Sequence, residues 1–235
     1  MNQELSTSTA DRDPRRLKLT LGDRSVSALL LTPPNPRALY IVAHGAGAGM
    51  EHPFITAISR ELGERGIATL RFNFPYMDGP RRRLDAKPVL HSSVRAAVTL
   101  GTAELPEVPI IAGGKSMGGR MTSAAQAEEP MPGVRGLVFL GFPLHPPKRL
   151  GTERADHLDQ VDVPSLFLQG TRDTLADLEL MGEVTAKLGR RATLHVVDGA
   201  DHGFHVLKRS SRSDSEVIEE LADTIADWLP AAIDS

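Results

Sequence analysis

Ser116 lies in the run Gly114-Lys115-Ser116-Met117-Gly118, which has the pattern G-x-S-x-G. An apolar run, Val108 to Ala112, precedes it, and an alanine-rich stretch, Met121 to Ala127, follows. That context predicts a strand, a very tight turn and then a helix, an arrangement that lifts a serine hydroxyl to the top of a sheet. Glycines at both ends of the pattern let the backbone turn without Cβ clashes. The segment is typical of the nucleophile elbow of a serine enzyme.

Two nucleotide-binding patterns match the chain only in part. A phosphate-binding loop, G-x-x-x-x-G-K-[ST], needs a glycine five positions before Gly114, where Pro109 stands. A dinucleotide-binding fingerprint, G-x-G-x-x-G, begins at Gly45 and fails because Met50 occupies its last glycine position. The sequence therefore favours a serine nucleophile over a nucleotide site.

A serine nucleophile needs a base, and the base needs an acid that fixes its tautomer. Asp173 comes shortly after the apolar run Leu166 to Leu168, and His202 comes shortly after Val196-Val197. The carboxyl ends of parallel strands meet at one edge of a sheet, so Ser116, Asp173 and His202 are expected to converge there.

Other residues compete for two of these roles. His205 is the alternative base, since it lies three residues after His202. Asp198 and Asp201 are alternative acids, although both residue types more often form turns. Asp173 itself also stands where a helix N-cap is expected, because the residues from Leu175 onward have a helical pattern.

Acyl transfer needs hydrogen-bond donors aimed at the developing oxyanion. One expected donor is the N–H of Met117, the residue after the nucleophile. The other is assigned to Ala46, with Gly47 as the alternative, in the glycine-rich loop that follows the apolar run Tyr40 to Ala43. Gly45 and Gly47 of that loop are expected to contact the substrate.

Composition narrows the function classes. The 235-residue chain has a net charge of -3, which argues against a nucleic-acid partner. It has no cysteine, so disulfides, cysteine nucleophiles and thiolate metal sites are excluded, and a reducing compartment fits. No apolar run approaches the roughly 20 residues of a membrane span, and Met1 to Asp13 has no signal-peptide pattern. We expect a soluble cytoplasmic protein that needs no metal or cofactor and acts on a small-molecule acyl substrate.

The predicted elements alternate between strands and helices. Residues 17–21 and 26–31 predict an antiparallel hairpin around Gly22-Asp23. Apolar runs typical of buried parallel strands follow at 38–43, 67–72, 109–112, 136–140, 165–168 and 193–197. Helical patterns begin at residues 54, 94 and 175 and at a capping box formed by Ser213 and Glu216. The first is followed by Gly66, the second by Pro106 and the last by Pro230, each of which ends a helix, and the third ends at residue 188.

This alternation predicts one α/β domain over residues 15–235, with residues 1–14 as a mobile tail. Only the connections 75–89 and 142–163 are long, and neither has room for a helical lid. The site is therefore expected to be covered by loops alone.

Taken together, these motifs resemble the α/β-hydrolase superfamily over nearly the whole chain. Five segments are similar to a small lidless, dienelactone-hydrolase-like group that includes testis-expressed proteins and a subunit of a non-specific-lethal complex: residues 43–49, 72–76, 114–120, 141–147 and 169–173. The resemblance implies a mostly parallel sheet of about eight strands with helices on both faces, no lid domain, and the triad Ser116, Asp173 and His202. Dienelactone hydrolases use a cysteine nucleophile, which this chain lacks.

Several basic and histidine residues near the motifs have more than one interpretation. The resemblance implies that His145 lines the site, although a rigid loop explains the residues around it equally well. Lys115 and Arg120 flank the nucleophile, where they either attract an anionic acyl group or form ordinary ion pairs. The run Arg81-Arg82-Arg83 is interpreted as a solvated loop.

The predicted function is hydrolysis of acyl esters or thioesters, with a preference for short chains, through a Ser-His-Asp triad. A peptidase or amidase with the same triad is one alternative. A binding or scaffold protein that retains only the fold is the other. The sequence does not predict the oligomeric state.

Overall fold

A computed structural model of the protein describes residues 13–79 and 83–234. The tail expected at 1–14 falls almost wholly outside these residues, as do Arg81 and Arg82 of the basic run. Arg83, the last residue of that run, is exposed.

Eight strands form one sheet in the order β1-β2-β4-β3-β5-β6-β7-β8. They are β1 (Arg15–Leu21), β2 (Arg24–Leu31), β3 (Ala38–Ala43), β4 (Ile67–Phe72), β5 (Ile110–Lys115), β6 (Val134–Leu140), β7 (Ser165–Gly170) and β8 (Ala192–Val197). The first two strands form the predicted hairpin, and β2 also pairs antiparallel with β4. All the other pairings are parallel. The predicted mostly parallel sheet of about eight strands is confirmed.

The strands lie between two apolar layers. In β3, Leu39 and Ile41 pack into one layer, and Tyr40 and Val42 pack into the other. Every residue of β3, β4 and β7 is buried. Because a strand covered on both faces has no solvent side, its sequence is continuously hydrophobic rather than alternating.

Helices cover both faces of the sheet. They are α1 (Pro53–Glu64), α2 (Pro75–Asp78), α3 (Lys87–Glu104), α4 (Met117–Glu128), α5 (Leu178–Leu188) and α6 (Asp214–Ile233). Apolar residues of α1 and α6 belong to one layer, and those of α3, α4 and α5 belong to the other.

Three predicted helix boundaries are wrong. The helix expected from residue 94 begins at Lys87, where Pro88 is tolerated because the first turn needs no hydrogen bond from its nitrogen. The helix expected from Leu175 begins at Leu178, because the Asp177 side chain accepts the N–H groups that open it. The helix expected to end before Pro230 continues to Ile233. Pro230 removes the N–H that would donate to the Ala226 carbonyl, but the helix continues past it, and the Asp234 N–H donates to the Pro230 carbonyl at 3.0 Å. The capping box of Ser213 and Glu216 is confirmed.

The two long connections contain only short helical segments. Helix α2 has four residues, and a 3₁₀ helix spans Glu153–Gln160. Within the part of the chain that the structure describes, no helical lid covers the carboxyl edge of the sheet. No helix in the same residues is long and apolar enough to cross a membrane.

Candidate active site

Ser116 occupies the turn between β5 and α4. Its backbone is in the left-handed region, with φ 52° and ψ −118°, and it immediately precedes the first residue of α4. Only a few per cent of residues other than glycine adopt positive φ, and this conformation stores strain that the surrounding structure must support. The result is the tight strand-to-helix turn that the G-x-S-x-G pattern predicts.

Neighbouring β3 explains the glycines around Ser116. A Cβ added to Gly114 would lie 2.0 Å from the Ala43 carbonyl oxygen, and one added to Gly118 would lie 2.2 Å from the same oxygen. Real Cβ atoms do not approach backbone this closely. Both glycines are therefore required by the close approach of the turn to the end of β3.

The structure brings Ser116, His202 and Asp173 into one hydrogen-bonded chain. His202 Nδ1 lies 2.7 Å from Asp173 Oδ2, and His202 Nε2 lies 2.8 Å from Ser116 Oγ. A carboxylate accepts hydrogen bonds, so the Nδ1 proton faces Asp173 and Nε2 is left to accept from the serine hydroxyl. This arrangement can activate the hydroxyl as a nucleophile.

Asp173 is fixed by further contacts. Its side chain is fully buried, and it accepts hydrogen bonds from Gln169 Nε2 and from the backbone N–H of Leu175 at 2.8 Å. Gln169 is also fully buried, at the carboxyl end of β7. Because three donors converge on it, including His202, the carboxylate keeps one orientation and its charge is compensated.

The alternative bases and acids are engaged elsewhere. His205 Nδ1 contacts Asp214 Oδ2 at 2.7 Å. Asp201 accepts the N–H groups of Gly203 and His205, and Asp198 lies at the long distance of 3.4 Å from the Thr171 hydroxyl. None of these carboxylates contacts the His202 ring, so the geometry favours Asp173.

The expected oxyanion donors flank Ser116. Met117 is the first residue of α4, so its N–H has no carbonyl acceptor within the helix. Gly45 lies against the nucleophile, since a Cβ added to it would be 3.7 Å from Ser116 Cβ. Ala46 and Gly47 follow in a turn closed by the Ala48 N–H and the Gly45 carbonyl at 3.2 Å, and both are exposed.

The buried His44 side chain fixes the position of this turn through hydrogen bonds. Its ring is fully buried, Nε2 accepts the Phe74 N–H at 3.1 Å, and Nδ1 lies 2.8 Å from the Gly45 carbonyl oxygen. The Phe74 donor requires an unprotonated Nε2, so Nδ1 carries the proton and donates to Gly45. Burial also lowers the pKa of His44, which keeps the ring neutral. Since the Gly45 carbonyl and the Ala46 N–H belong to one planar peptide, fixing one aims the other.

Lys115, the residue before the nucleophile, forms no ion pair with any described residue. Its ammonium donates to the main-chain carbonyl of His202 and lies 5.2 Å from the centre of the Phe204 ring. Burial lowers the pKa of Lys115 to about 8, against the opposing charges of Asp173 and Asp201. The expected ordinary ion pair is therefore replaced by a link between the nucleophile turn and the histidine loop.

Arg120 likewise has no ion pair among the residues described. Burial lowers its pKa, and the nearby charge of Arg154 lowers it further. His145 is buried, with Nδ1 2.9 Å from the Pro146 carbonyl oxygen and Nε2 2.9 Å from the Asp177 nitrogen. Both of its ring nitrogens are used inside the protein, which supports the rigid-loop interpretation rather than a substrate contact.

A comparison with sequence models of protein families shows which family the chain belongs to. A sequence model described as alpha/beta hydrolase domain matches residues 36–230. The chain belongs to this family. The family assignment supports hydrolase activity and confirms the resemblance to the α/β-hydrolase superfamily.

Three solved structures of other proteins are similar to the fold of this chain. A dienelactone hydrolase from Anabaena variabilis has 20% identity and a TM-score of 0.73, over 94% of this chain and 99% of that one. A lidless α/β serine hydrolase from Xanthomonas campestris has 21% identity and a TM-score of 0.72, over 93% and 96%. Est1E from Butyrivibrio proteoclasticus, bound to ferulic acid, has 18% identity and a TM-score of 0.72, over 93% and 100%. The chain shares the architecture of lidless hydrolases.

Sequence reasoning gave no role to His44 or Gln169 and misjudged Lys115. Two of them act through contacts between distant segments, since 30 positions separate His44 from Phe74 and 87 separate Lys115 from His202. Gln169 instead contacts Asp173, four positions further along the chain. A partial signal exists for Gln169, since a polar side chain inside a fully buried strand needs a partner.

Proposed function

We propose that this alpha/beta hydrolase is a serine hydrolase of acyl esters and thioesters. Ser116 is the nucleophile, His202 the general base and acid, and Asp173 the residue that orients His202. The observation that carries the proposal is the hydrogen-bonded chain Ser116–His202–Asp173, with distances of 2.8 and 2.7 Å. Geometry of this kind is the recognised requirement for an activated serine.

In the first half of the reaction, Ser116 Oγ attacks the substrate carbonyl carbon while His202 Nε2 accepts the hydroxyl proton. The new Oγ–C bond converts the carbonyl into a tetrahedral oxyanion. His202 then returns the proton to the leaving alcohol or thiol as the old ester or thioester bond breaks. An acyl-enzyme on Ser116 remains.

The N–H groups of Met117 and Ala46 are proposed to donate to the oxyanion. Two features support this assignment: the helix start leaves the Met117 N–H without an acceptor, and His44 fixes the peptide that carries the Ala46 N–H. Donors that are already aimed need no reorganisation when the charge develops, and losing one typically costs about 10²- to 10³-fold in rate.

The second half repeats the steps with water. His202 Nε2 takes a proton from water, the hydroxide attacks the acyl carbonyl, and the proton returns to Ser116 Oγ as the acid product leaves. Throughout, the carboxylate of Asp173 stabilises the imidazolium that forms at each transfer.

Esters and thioesters are preferred over amides as the proposed substrates for one specific reason. Structurally similar proteins include an esterase domain from a Rhodothermus marinus protein and a cold-adapted esterase from an Arctic intertidal metagenomic library. These likenesses show only the fold of this chain, but they favour ester chemistry as the first to be tested.

Labelling with a fluorophosphonate tests the proposal. Intact-mass analysis is made on the wild type, on Ser116→Ala and on His202→Ala. A single adduct that maps to Ser116 and is lost in both variants is expected, together with a loss of turnover of about 10⁶-fold in Ser116→Ala. Folded wild-type protein that takes no label would refute the mechanism and favour a binding protein built on a hydrolase fold.

A further inference from the structure

Three loops at the carboxyl edge of the sheet carry exposed cations. They follow β4, β6 and β8 and span residues 73–86, of which 73–79 and 83–86 are described, 141–152 and 198–213. We call the following exposed residues on these loops the cationic rim: Arg83, Lys148, Arg149, Lys208 and Arg209. Since β5 is parallel to these strands, the loops that carry the rim lie at the same edge of the sheet as Ser116.

No rim residue forms an ion pair within the described part of the chain. Other arginines do so, such as Arg212 with Glu220 beside the rim and Arg65 with both Glu61 and Asp223. The rim charges are therefore not neutralised by the carboxylates that the fold places nearby.

The acidic residues on the same loops accept hydrogen bonds from other groups of the protein, and Asp198 is the most weakly held, at 3.4 Å from the Thr171 hydroxyl. Asp78 accepts the Ser27 N–H at 2.6 Å, and Asp85 accepts the Tyr76 N–H at 2.8 Å. Asp201 accepts the N–H groups of Gly203 and His205. Residues 141–152 contain no acidic residue at all. Carboxylates thus stabilise the loop backbone, and the cations face solvent.

The Lys148 backbone is strained. Lys148 has φ 62°, and two of the other three described non-glycine residues with positive φ, Ser116 and Phe204, lie at the same edge. A strained backbone conformation persists only where the surrounding structure maintains it, and such conformations concentrate at functional sites. His145 ties this loop to the start of α5, since its Nε2 accepts the Asp177 N–H while Nδ1 bonds to the neighbouring Pro146 carbonyl.

Exposed leucines adjoin the rim. Leu84, Leu150 and Leu207 are 50%, 66% and 41% exposed, and each is next to a rim residue in sequence. Among the described residues the only other large apolar side chain this exposed is Val196, on β8. The carboxyl edge therefore offers cations and apolar surface side by side.

We propose that the natural substrate carries phosphate groups outside the scissile bond, on the leaving-group side, and that the cationic rim binds them. This inference rests on the proposed function and names its substrate class: an acyl thioester or ester of a phosphorylated carrier. The charges span three loops, which fits a leaving group with several separated phosphates better than a single carboxylate. Arginine and lysine both bind phosphate well, and the apolar stem of such a carrier suits the exposed leucines.

The test compares two thioesters with the same acyl group, acetyl-coenzyme A and acetyl-pantetheine, which lacks the phosphates. We expect kcat/KM for acetyl-coenzyme A to exceed that for acetyl-pantetheine by about tenfold or more at low ionic strength. Electrostatic steering accounts for rate differences of about 10- to 10³-fold. The ratio should shrink in about 0.5 M salt, because salt screens the charges. In Lys148→Glu/Arg149→Glu the ratio of the two values should fall toward one.

Lys187→Glu/Arg190→Glu is the matched control. It changes the net charge equally at two exposed residues, in the segment that leads into β8 from the opposite edge. This variant should keep the wild-type ratio. Equal kcat/KM for the two thioesters in the wild type, or an equal fall of the ratio in both double variants, would overturn the proposal.

Binding of free coenzyme A to Ser116→Ala separates this inference from the proposed function. Calorimetry should detect coenzyme A binding that pantetheine does not reproduce and that Lys148→Glu/Arg149→Glu weakens at least about tenfold, because several screened charge contacts are lost together. That result stands even if Ser116 takes no fluorophosphonate label. No binding of coenzyme A by the folded protein refutes the rim's role and leaves the triad untouched.

Discussion

Lys115 and His202 are tied together by a hydrogen bond from the Lys115 ammonium to the main-chain carbonyl of His202. The link joins the residue before the nucleophile to the base itself, across the gap between the ends of β5 and β8. Phe204, two residues after His202, packs its ring 5.2 Å from the same ammonium while holding φ 64°. Lys115 is therefore expected to position the loop that carries His202.

Replacing Lys115 with methionine should lower kcat by about 10- to 100-fold with little change in KM, because the base is displaced while the substrate contacts remain. Steady-state kinetics on a p-nitrophenyl ester measures both constants. Lys115→Arg, which can still donate to the carbonyl, should recover part of the loss. A Lys115→Met enzyme with wild-type kcat would show that the link has no positioning role.

Stability should depend on pH through the same residue. Burial lowers the pKa of Lys115 from 10.5 to about 8, so between these values the unfolded chain holds more protons on this residue than the folded chain. The free energy of unfolding of the wild type, relative to Lys115→Met, should therefore rise as the pH increases from 8 toward 10.5. Urea denaturation of both proteins across this interval measures the difference. A constant or falling difference would contradict the buried position of the ammonium.

His44→Phe should slow acylation, because it keeps a buried ring but removes the bond that fixes the Gly45 carbonyl. We expect kcat to fall by up to about 10²-fold, since an oxyanion donor is misaligned rather than deleted. Fluorophosphonate labelling of Ser116 should slow in parallel. The control is His52→Ser at the end of the same loop, which retains an N-cap for α1 and should keep wild-type activity. Equal losses in the two variants would point to a general effect on the loop.

Gly118→Ala should destabilise the fold by about 3 kcal/mol or more, because overpacking against rigid backbone has no cheap relief. The added Cβ would lie 2.2 Å from the Ala43 carbonyl oxygen. Gly182→Ala in α5 is the matched control, since a Cβ there meets nothing within 4 Å. It should be neutral or stabilising by up to about 1 kcal/mol. Thermal and urea denaturation compare the two, and similar stabilities would contradict the tight turn.

Activity should fall as the acyl chain of the substrate becomes longer. The described connections over the site contain only a four-residue helix and a 3₁₀ segment, so little of a long acyl chain is enclosed. We expect kcat/KM to be highest between acetyl and butyryl esters and to fall toward dodecanoyl. A steady rise from acetyl to dodecanoyl would show that the site encloses long chains.

The sequence by itself determined the sheet and the chemistry-bearing residues. Residues 38–43 and 67–72 were predicted as strands with the bounds that the structure shows, because a strand buried on both faces is mostly apolar along its length. Thr69 and Arg71 are the buried polar exceptions in the second strand. Ser116, Asp173 and His202 were predicted as a triad because each follows an apolar run, and parallel strands bring their carboxyl ends to one edge. The structure brings the three side chains together, and their catalytic roles stay a proposal. Boundaries set by capping contacts, such as the start of α5 at Leu178, were missed.

Only the tertiary structure decided how the candidate site is held. His44 fixes Gly45 and Phe74, Gln169 orients Asp173, and Lys115 holds the His202 loop. The contacts of His44 with Phe74 and of Lys115 with His202 join distant parts of the chain, and all four contacts depend on side-chain direction and burial rather than on local pattern. Periodicity reports which face of an element is apolar, whereas a hydrogen bond between loops follows from how the elements pack. The same reason explains why the sequence indicates an anion contact or an ion pair for Lys115 and not the hydrogen bond to the His202 carbonyl.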